Sequence, residues 1–273
     1  MKITMLVDNH TIIDSYYVGE PAVSYFIEES GHKYLFDTGY SDVFLQNAVA
    51  MNISLDDLSG VILSHGHNDH TRGLTYLIKQ KLQKMLPKPR LIAHPDVFLA
   101  RVDSDTACGC PIEKSVLEEH FSFKLSRKPI WLSDRLVFLG EIERSNDFEA
   151  KTPVGTFQED HKNIPDYVMD DSALVYRAKN GLVIITGCSH SGICNIIEQA
   201  KKVCQEERVV NVIGGFHLLN TEPERMQKTC DYFRTLKSTE VYAAHCTDLH
   251  AKIALATVTS VKEAGVGVAL YYE

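Results

Sequence analysis

Residues 65–70 read His65, Gly66, His67, Asn68, Asp69, His70, so three imidazoles and a carboxylate fall within six positions. Neutral imidazole and carboxylate are donors for zinc and similar divalent ions. A cluster this dense points to metal more strongly than to a polar loop that happens to be rich in histidine. What must position the donors is the apolar run Val61 to Leu63, bounded by Gly60, which reads as a buried strand. The donors begin where that strand ends and the backbone leaves the sheet. A tight turn there can aim His65 and His67 to one side and Asp69 and His70 to an adjacent one, so that one stretch serves two cations.

The chain has 273 residues, enough for one large domain or two small ones with a full core. Apolar residues at 44% and charged residues at 23% are ordinary for a soluble globular protein. With 28 basic and 36 acidic side chains the net charge is −8, which argues against nucleic acid or an anionic membrane as partner and leaves room only for a local basic pocket. No stretch approaches the length of a membrane span, and the opening residues alternate like a strand and lack a signal-peptide core. The seven cysteines are odd in number and scattered, which fits reduced thiols better than a disulfide framework. The expectation is a cytoplasmic protein with a small-molecule substrate, a homo-oligomer being left open.

Residues 2–8 read as an opening strand. Residues 22–28 and 32–36 are two strands joined at Ser30-Gly31, a hairpin signal. A helix follows over about 41–51, with Val43, Phe44, Ala48 and Met51 on one face. After the histidine cluster, 76–86 reads as a helix; its Lys79, Lys81 and Lys84, with Lys88 and Arg90, are read as a solvated face rather than a phosphate patch. Residues 90–93 form a strand ending at His94, taken as structural. From Ala173 the opening pattern returns. Residues 173–178 and 182–185 make a hairpin across Asn180-Gly181, a type I′ signal. The hairpin ends at Thr186-Gly187, a helix follows, and the strand 209–213 leads to His217. This recurrence predicts two similar halves, with packed sheets and the chemistry between their edges. A helix over about 249–263 and a strand over 266–272 should close the second half. Residues 96–170 are the least regular part, with strands at 130–132 and 136–139 and a Cys108-Gly109-Cys110 that lacks a partner pair for zinc. We read 96–170 as an insertion that caps the site, within a single domain spanning 1–273.

The spacing His65-x-His67-x-Asp69-His70 resembles the signature of the metallo-β-lactamase superfamily, and the likeness extends along most of the chain. The resemblance implies an α/β fold, a four-layered αββα sandwich, with the metal site at one edge of the two sheets. It places His65 and His67 on a first ion and Asp69 and His70 on a second. It also implies that Asp37, in Phe36-Asp37-Thr38-Gly39, stands behind the ligands as a support; the plain alternative is a turn residue. Where the superfamily mostly carries a bridging aspartate after Thr-Gly, this sequence has Cys188, then Ser189 and His190. Either His190 completes the first site or Cys188 donates sulfur. Nitrogen suits hydrolytic zinc, iron or manganese better, which favours His190. The run Val241 to His245 matches the last ligand motif and puts His245 on the second ion. Asp171 lies where the superfamily keeps a further histidine and is either a ligand or a hairpin cap; His161 is the nearest upstream histidine. His217, behind Gly214-Gly215, which permits close backbone approach, is read as a pocket residue that contacts substrate or acts as an acid. A helix beginning at His190, capped by Ser189 or Ser191 and burying Ile193, Ile196, Ile197 and Ala200, offers Ser189, Ser191 and Gly192 to a substrate phosphate.

The wording at 36–39, 64–71, 186–192, 214–217 and 245–247 looks like that of the 7,8-dihydropterin-6-methyl-4-(β-D-ribofuranosyl)aminobenzene-5′-phosphate synthase group. The activity of that group joins a dihydropterin diphosphate to a ribosyl-aminobenzene phosphate with loss of pyrophosphate. A pterin needs an aromatic or apolar slot, for which Tyr16, Tyr17, Phe157 and Tyr167 are candidates. Arg72, where the group often has glycine, and the segment 96–170 depart from the pattern. The resemblance therefore implies an enzyme with two divalent ions, zinc first and iron or manganese as alternatives. It would hydrolyse a phosphorylated or ester-like small molecule, or act as a dihydropterin-diphosphate transferase. Two such ions about 3.5–4 Å apart lower the pKa of a water and clamp a charged transition state, with Asp69 and His217 as catalytic residues. The competing reading is a metal-retaining sensor or binding protein without turnover.

Overall fold

The computed structural model describes residues 1–159, 162–237 and 239–273. Two seven-stranded sheets lie face to face. The first runs Ala269–Tyr271, Lys2–Val7, Ser24–Glu29, His32–Phe36, Gly60–Ile62, Arg90–Ala93, Ser122–Leu125 from edge to edge. The second runs Ile130–Trp131, Leu136–Phe138, Ala173–Ala178, Gly181–Thr186, Val209–Gly215, Glu240–Ala244, Ser260–Val261. Each sheet contains a tight antiparallel hairpin whose second strand is followed by three strands, each parallel to its neighbour. The two similar halves predicted from the recurring pattern are this repeated topology.

Side-chain alternation along the strands builds three apolar layers. In Ala173–Ala178, Leu174 and Tyr176 face the opposite sheet, while Ala173 and Val175 face the helix Ile193–Cys204 and its neighbours. Tyr34, Phe36 and Ile62 from the first sheet meet Phe138, Ile185 and Ile213 from the second in the central layer. On the far side of the first sheet, Leu35 and Val61 pack with Phe44 and Ala48 of the helix Val43–Ala50 and with Leu74, Leu77 and Ile78 of the helix Leu74–Lys84. Helix, sheet, sheet, helix is the four-layered αββα arrangement. Among the described residues no helix is long and apolar enough to cross a membrane.

Ser30 and Gly31 both hold left-handed dihedrals, φ 50° and 78°, as a type I′ hairpin turn requires. The second hairpin differs from expectation. Its turn residues are Lys179 and Asn180, Gly181 already pairs with Ala178, and the positive φ falls on Gly181 alone of the three. The helix expected over 249–263 stops earlier, spanning Leu249–Ala256, and Ser260–Val261 then joins the edge of the second sheet. The last strand, expected to close the second half, instead pairs with Lys2–Val7 in the first sheet, Ile3 opposite Leu270. There it covers backbone donors and acceptors that an edge strand would leave open.

The segment 96–170 divides into two kinds of structure. Ser122–Leu125, Ile130–Trp131 and Leu136–Phe138 are strands of the large sheets, anchored by buried Leu117, Phe121, Leu139 and Ile142. Arg101–Asp103, Thr106–Ala107, Thr156–Glu159 and Lys162–Pro165 form a separate four-stranded sheet. On the helix Leu74–Lys84, Lys84 pairs with Asp56 at 2.8 Å and Lys79 lies over the Tyr76 ring, as a solvated face would have it, but Lys81 does not belong to that face: it is buried on the same side as Leu74, Leu77 and Ile78.

Candidate metal centre

The strand Gly60–Ile62 ends, the chain stays extended to His67, and Asn68–Thr71 then makes one helical turn. His65 and His67 therefore leave an extended segment, where alternate side chains can converge across a bend at Gly66, while Asp69 and His70 leave the helical turn. Gly66 is required by close approach: a Cβ there would stand 2.1 Å from Val97 O and 2.2 Å from an Arg101 guanidinium nitrogen. Its N–H donates to Asp170 Oδ2 at 2.8 Å. Arg101 is fully buried and bonds both Asp166 and Asp170, so a charged strut from the small sheet pins the loop between the first two histidines.

Asp37 is a support. Its Oδ1 accepts the Ser64 N–H at 2.7 Å, and its Oδ2 accepts the Ser64 hydroxyl at 2.7 Å and faces His70 Nδ1 at 2.7 Å. A carboxylate behind one ring nitrogen fixes the imidazole and turns the other nitrogen outward. Among the described residues, His70 Nε2 is buried without a hydrogen-bond partner, as are His67 Nε2 and both ring nitrogens of His190. Buried polar atoms are normally paired, so this convergence of unpaired imidazole nitrogens fits a cation.

The donors fall into two main groups. Ligand atoms of His65, His67 and His190 lie within 4.8 Å of one another, and so do those of Asp69, His70 and His245. His65 Nε2 approaches His67 Nδ1 to 3.0 Å, and the His190 ring centroid is 4.7 Å from those of both. Asp69 Oδ2 stands 3.5 Å from His70 Nε2 and 3.3 Å from His245 Nε2. Burial pushes the His65 and His190 rings well below the usual imidazole range and His67 down to about 4, which keeps them in the neutral, ligating form. Burial alone would raise the Asp69 carboxyl, but the neighbouring His70 and His245 hold it below the usual carboxylate range. His70 is lifted to about 9 against its burial by Asp69 and Asp37, so a cation at its Nε2 competes with a proton.

From the second half, His245 is oriented by the opening strand. Its N–H donates to Asp8 Oδ1 at 2.8 Å and its Nδ1 lies 3.1 Å from Asn9 Oδ1. Of the two alternatives posed by the sequence, His190 groups with His65 and His67, while Cys188 groups with His65 and His70 and also with His190 and His217, so both side chains reach the cluster. His217 lines the cleft with its ring 4.3 Å from that of His190. Asp171 joins none of these donor groups among the described residues; its Oδ2 accepts the Ser191 N–H at 2.8 Å and so steadies the loop that carries His190. His161 lies outside the described residues.

The phosphate site expected at Ser189, Ser191 and Gly192 needs correction. The helix starts at Ile193 with Gly192 as N-cap, and neither serine caps it. Ser189 Oγ donates to Gly215 O, and two N–H groups of the first helical turn, those of Cys194 and Asn195, donate to the buried Glu149 carboxylate at 3.0 Å each. A protein anion already fills the position where a phosphate would bind. His94 is structural as expected, fully buried with Nε2 3.1 Å from Glu141. Cys110 and Cys108 enter no donor group among the described residues.

Sequence reasoning missed Asp8, Asn9, Arg101, Glu149 and Cys246. For Asp8 a signal existed: it follows a strand end directly, as Asp37 follows Phe36. The others act on partners remote in the chain and left no local pattern. The ligand groups open into a cleft of about 840 Å³. Its aromatic side chain is Tyr40, with the Arg72 guanidinium 4.3 Å from the ring centroid, rather than Tyr16, Tyr17, Phe157 or Tyr167; Tyr16 points to solvent at 95% exposure.

Residues 17–81 match the Metallo-beta-lactamase superfamily. The 7,8-dihydropterin-6-methyl-4-(beta-D-ribofuranosyl)-aminobenzene-5′-phosphate synthase of Methanocaldococcus jannaschii is 30% identical over 266 residues, covering 92% of this chain and 89% of that protein. The chain belongs to the metallo-β-lactamase superfamily. An uncharacterized protein of the same organism is also 30% identical, over 91% of both chains. Among solved structures, a metal-dependent hydrolase of the beta-lactamase superfamily superposes with a TM-score of 0.86 and 28% identity, covering 100% of this chain and 99% of that one. Metallo-β-lactamase superfamily members are metal-dependent enzymes, and the donor groups described above fit divalent ions.

Proposed function

We propose that this protein is a metal-dependent enzyme that holds two divalent cations, zinc first and iron or manganese as alternatives, and acts on a phosphorylated or ester-like small molecule. The observation that carries the reading is the pair of donor triads, the buried one of His65, His67, His190 and the partly exposed one of Asp69, His70, His245, opening side by side into one cleft. Bound there, the cations would supply an activated water and neutralise negative charge developing in the transition state. The protein's own groups do the rest. Asp37 and Asn9 fix the outer ring nitrogens of His70 and His245. Asp69 stays ionised at the mouth of the second triad, where it orients the nucleophile, and His217 is placed to pass a proton to or from the substrate. Tyr40, backed by Arg72, gives a ring a face to stack on.

Identity over nearly the full length to the dihydropterin-ribofuranosylaminobenzene phosphate synthase favours a second form of the same reading. In it the cleft would receive a dihydropterin diphosphate, cations held by the triads would supply the charge that binds the diphosphate, and an aromatic acceptor rather than water would attack the pterin's methylene carbon, the carbon–oxygen bond breaking and diphosphate leaving. The segment containing the small sheet, which brings Asp103, Cys108 and Val154 to the cleft wall, then caps the site and selects the acceptor.

The test is to load the purified protein with zinc, iron(II) or manganese(II), measure metal per chain, and assay bis-p-nitrophenyl phosphate beside the dihydropterin diphosphate and ribosyl-aminobenzene phosphate pair. Two ions per chain with turnover of either is expected. Full metal with no turnover across a broad ester and diphosphate panel would favour a sensor or binding protein instead.

A further inference from the structure

We propose that Cys188 is a thiolate ligand shared by both cations, with the Cys246 thiol as its hydrogen-bond partner. The proposal rests on the binuclear reading and adds a donor to it. Cys188 Sγ lies within 4.8 Å of ring nitrogens of His65 and His70, of His190 and His217, and of His245. It therefore reaches two members of each triad from one position. Among the described residues Asp69 is the one carboxylate in any of these donor groups, and it groups with His70 and His245 alone. No carboxylate is thus placed between the triads, and the sulfur stands there instead.

Two further observations point to a ligand at this spot. His190 is 7% exposed with both ring nitrogens unpartnered, and the buried Nε2 atoms of His67 and His70 are unpartnered around the same space. The Cys188 S–H donates to Cys246 Sγ at 3.0 Å, and Cys246 in turn accepts the His217 N–H at 3.2 Å and donates to Cys188 O at 3.3 Å, so once Cys188 gives up its proton the adjacent Cys246 S–H can turn from that carbonyl to the thiolate. Ligation would break the Cys188 S–H bond, release that proton to solvent and leave the sulfur electron pair for the metal. A thiolate is a soft donor, so the centre should prefer zinc, iron(II) or cobalt(II) to manganese or magnesium.

The experiment uses the full chain. In the zinc-loaded protein, X-ray absorption should show a sulfur shell at about 2.3 Å beside nitrogen at about 2.0–2.1 Å. The cobalt(II)-loaded protein should show a near-ultraviolet thiolate-to-metal charge-transfer band. C188S should abolish both signatures, and C246S should keep them. Cys188→Asp should restore two-ion binding without sulfur and shift the preference toward manganese(II). Two ions held by nitrogen and oxygen alone would overturn the sulfur ligand and leave the binuclear reading standing; a protein that takes up no ion would overturn both. Signatures lost in C246S and kept in C188S would overturn the assignment to Cys188. Should C188S fail to fold, the native spectra still decide sulfur ligation and C246S decides which thiol supplies it.

Discussion

At the metal centre four residues other than glycine hold left-handed dihedrals: Asp37, Ser189, His217 and His245, with φ of 56°, 62°, 50° and 50°. Each such residue costs of order 1–3 kcal/mol, a cost tolerated where function needs the geometry. For His217 this separates scaffold from chemistry. His217→Gly should leave thermal stability unchanged or raise it by up to about 1 kcal/mol, since glycine adopts this conformation freely, yet turnover should fall. A variant that unfolds early while retaining full activity would refute the proton-transfer role. Asp37→Asn should lower affinity at the second triad by roughly 10- to 100-fold, because it weakens the partner behind His70. Isothermal titration with zinc measures this, and wild-type affinity would contradict the supporting role. The histidines were legible because their spacing is local and each follows a strand end. Asp8 shared only its place after a strand end with the histidines; its partner is 237 residues away and that of Glu149 is 45 residues away, and no short-range pattern records those pairings.

At the level of elements, two packing devices hold the loops that carry the ligands. One is Glu149, which caps the helix Ile193–Cys204 from outside its own sequence. Gly192, at φ 93°, leaves that carboxylate its space; a Cβ there would stand 2.3 Å from Glu149 Oε2. Gly192→Ala should destabilise by about 2–4 kcal/mol through strain and overlap. Combined with Glu149→Gly the loss should be smaller than the sum, because the Glu149 Cβ, Cδ and Oε2 atoms that the new Cβ would meet have gone; strict additivity in denaturant melts would show that the two do not interact. The other device is Arg101. Arg101→Met should cost about 3–5 kcal/mol, since Asp166 and Asp170 would be left buried and unpaired, and a melt within error of wild type would reject the strut. The hairpins and the helices at 43–50, 74–84 and 193–204 could be read from periodicity. The division of 96–170 could not, because its strands are only two to four residues long; three of them complete large sheets whose other members lie elsewhere in the chain, and the other four pair among themselves across some fifty residues. The same holds for the last strand, whose partner Lys2–Val7 is at the opposite end of the sequence.

At the scale of the whole molecule, both triads straddle the duplication. His65 and His67 come from the first half and His190 from the second; Asp69 and His70 come from the first and His245 from the second. Saturation with metal at 100 times the dissociation constant should therefore add about 2.7 kcal/mol per site to global stability. Chelation should lower the melting temperature and readdition restore it; a melt indifferent to chelator would contradict ligation across the halves. The duplicated plan was legible from the recurring order of strand, turn, strand, helix, strand and histidine, whereas the pairing of specific donors across the halves needed the register of both sheets. A consequence for kinetics follows from that straddling. Neither half by itself supplies a complete triad, so the full grip on a cation forms only once both sheets have docked, late on the way to the native state. Metal should then retard escape from the native state far more than it hastens arrival, with the unfolding limb of a chevron plot dropping while the refolding limb stays in place.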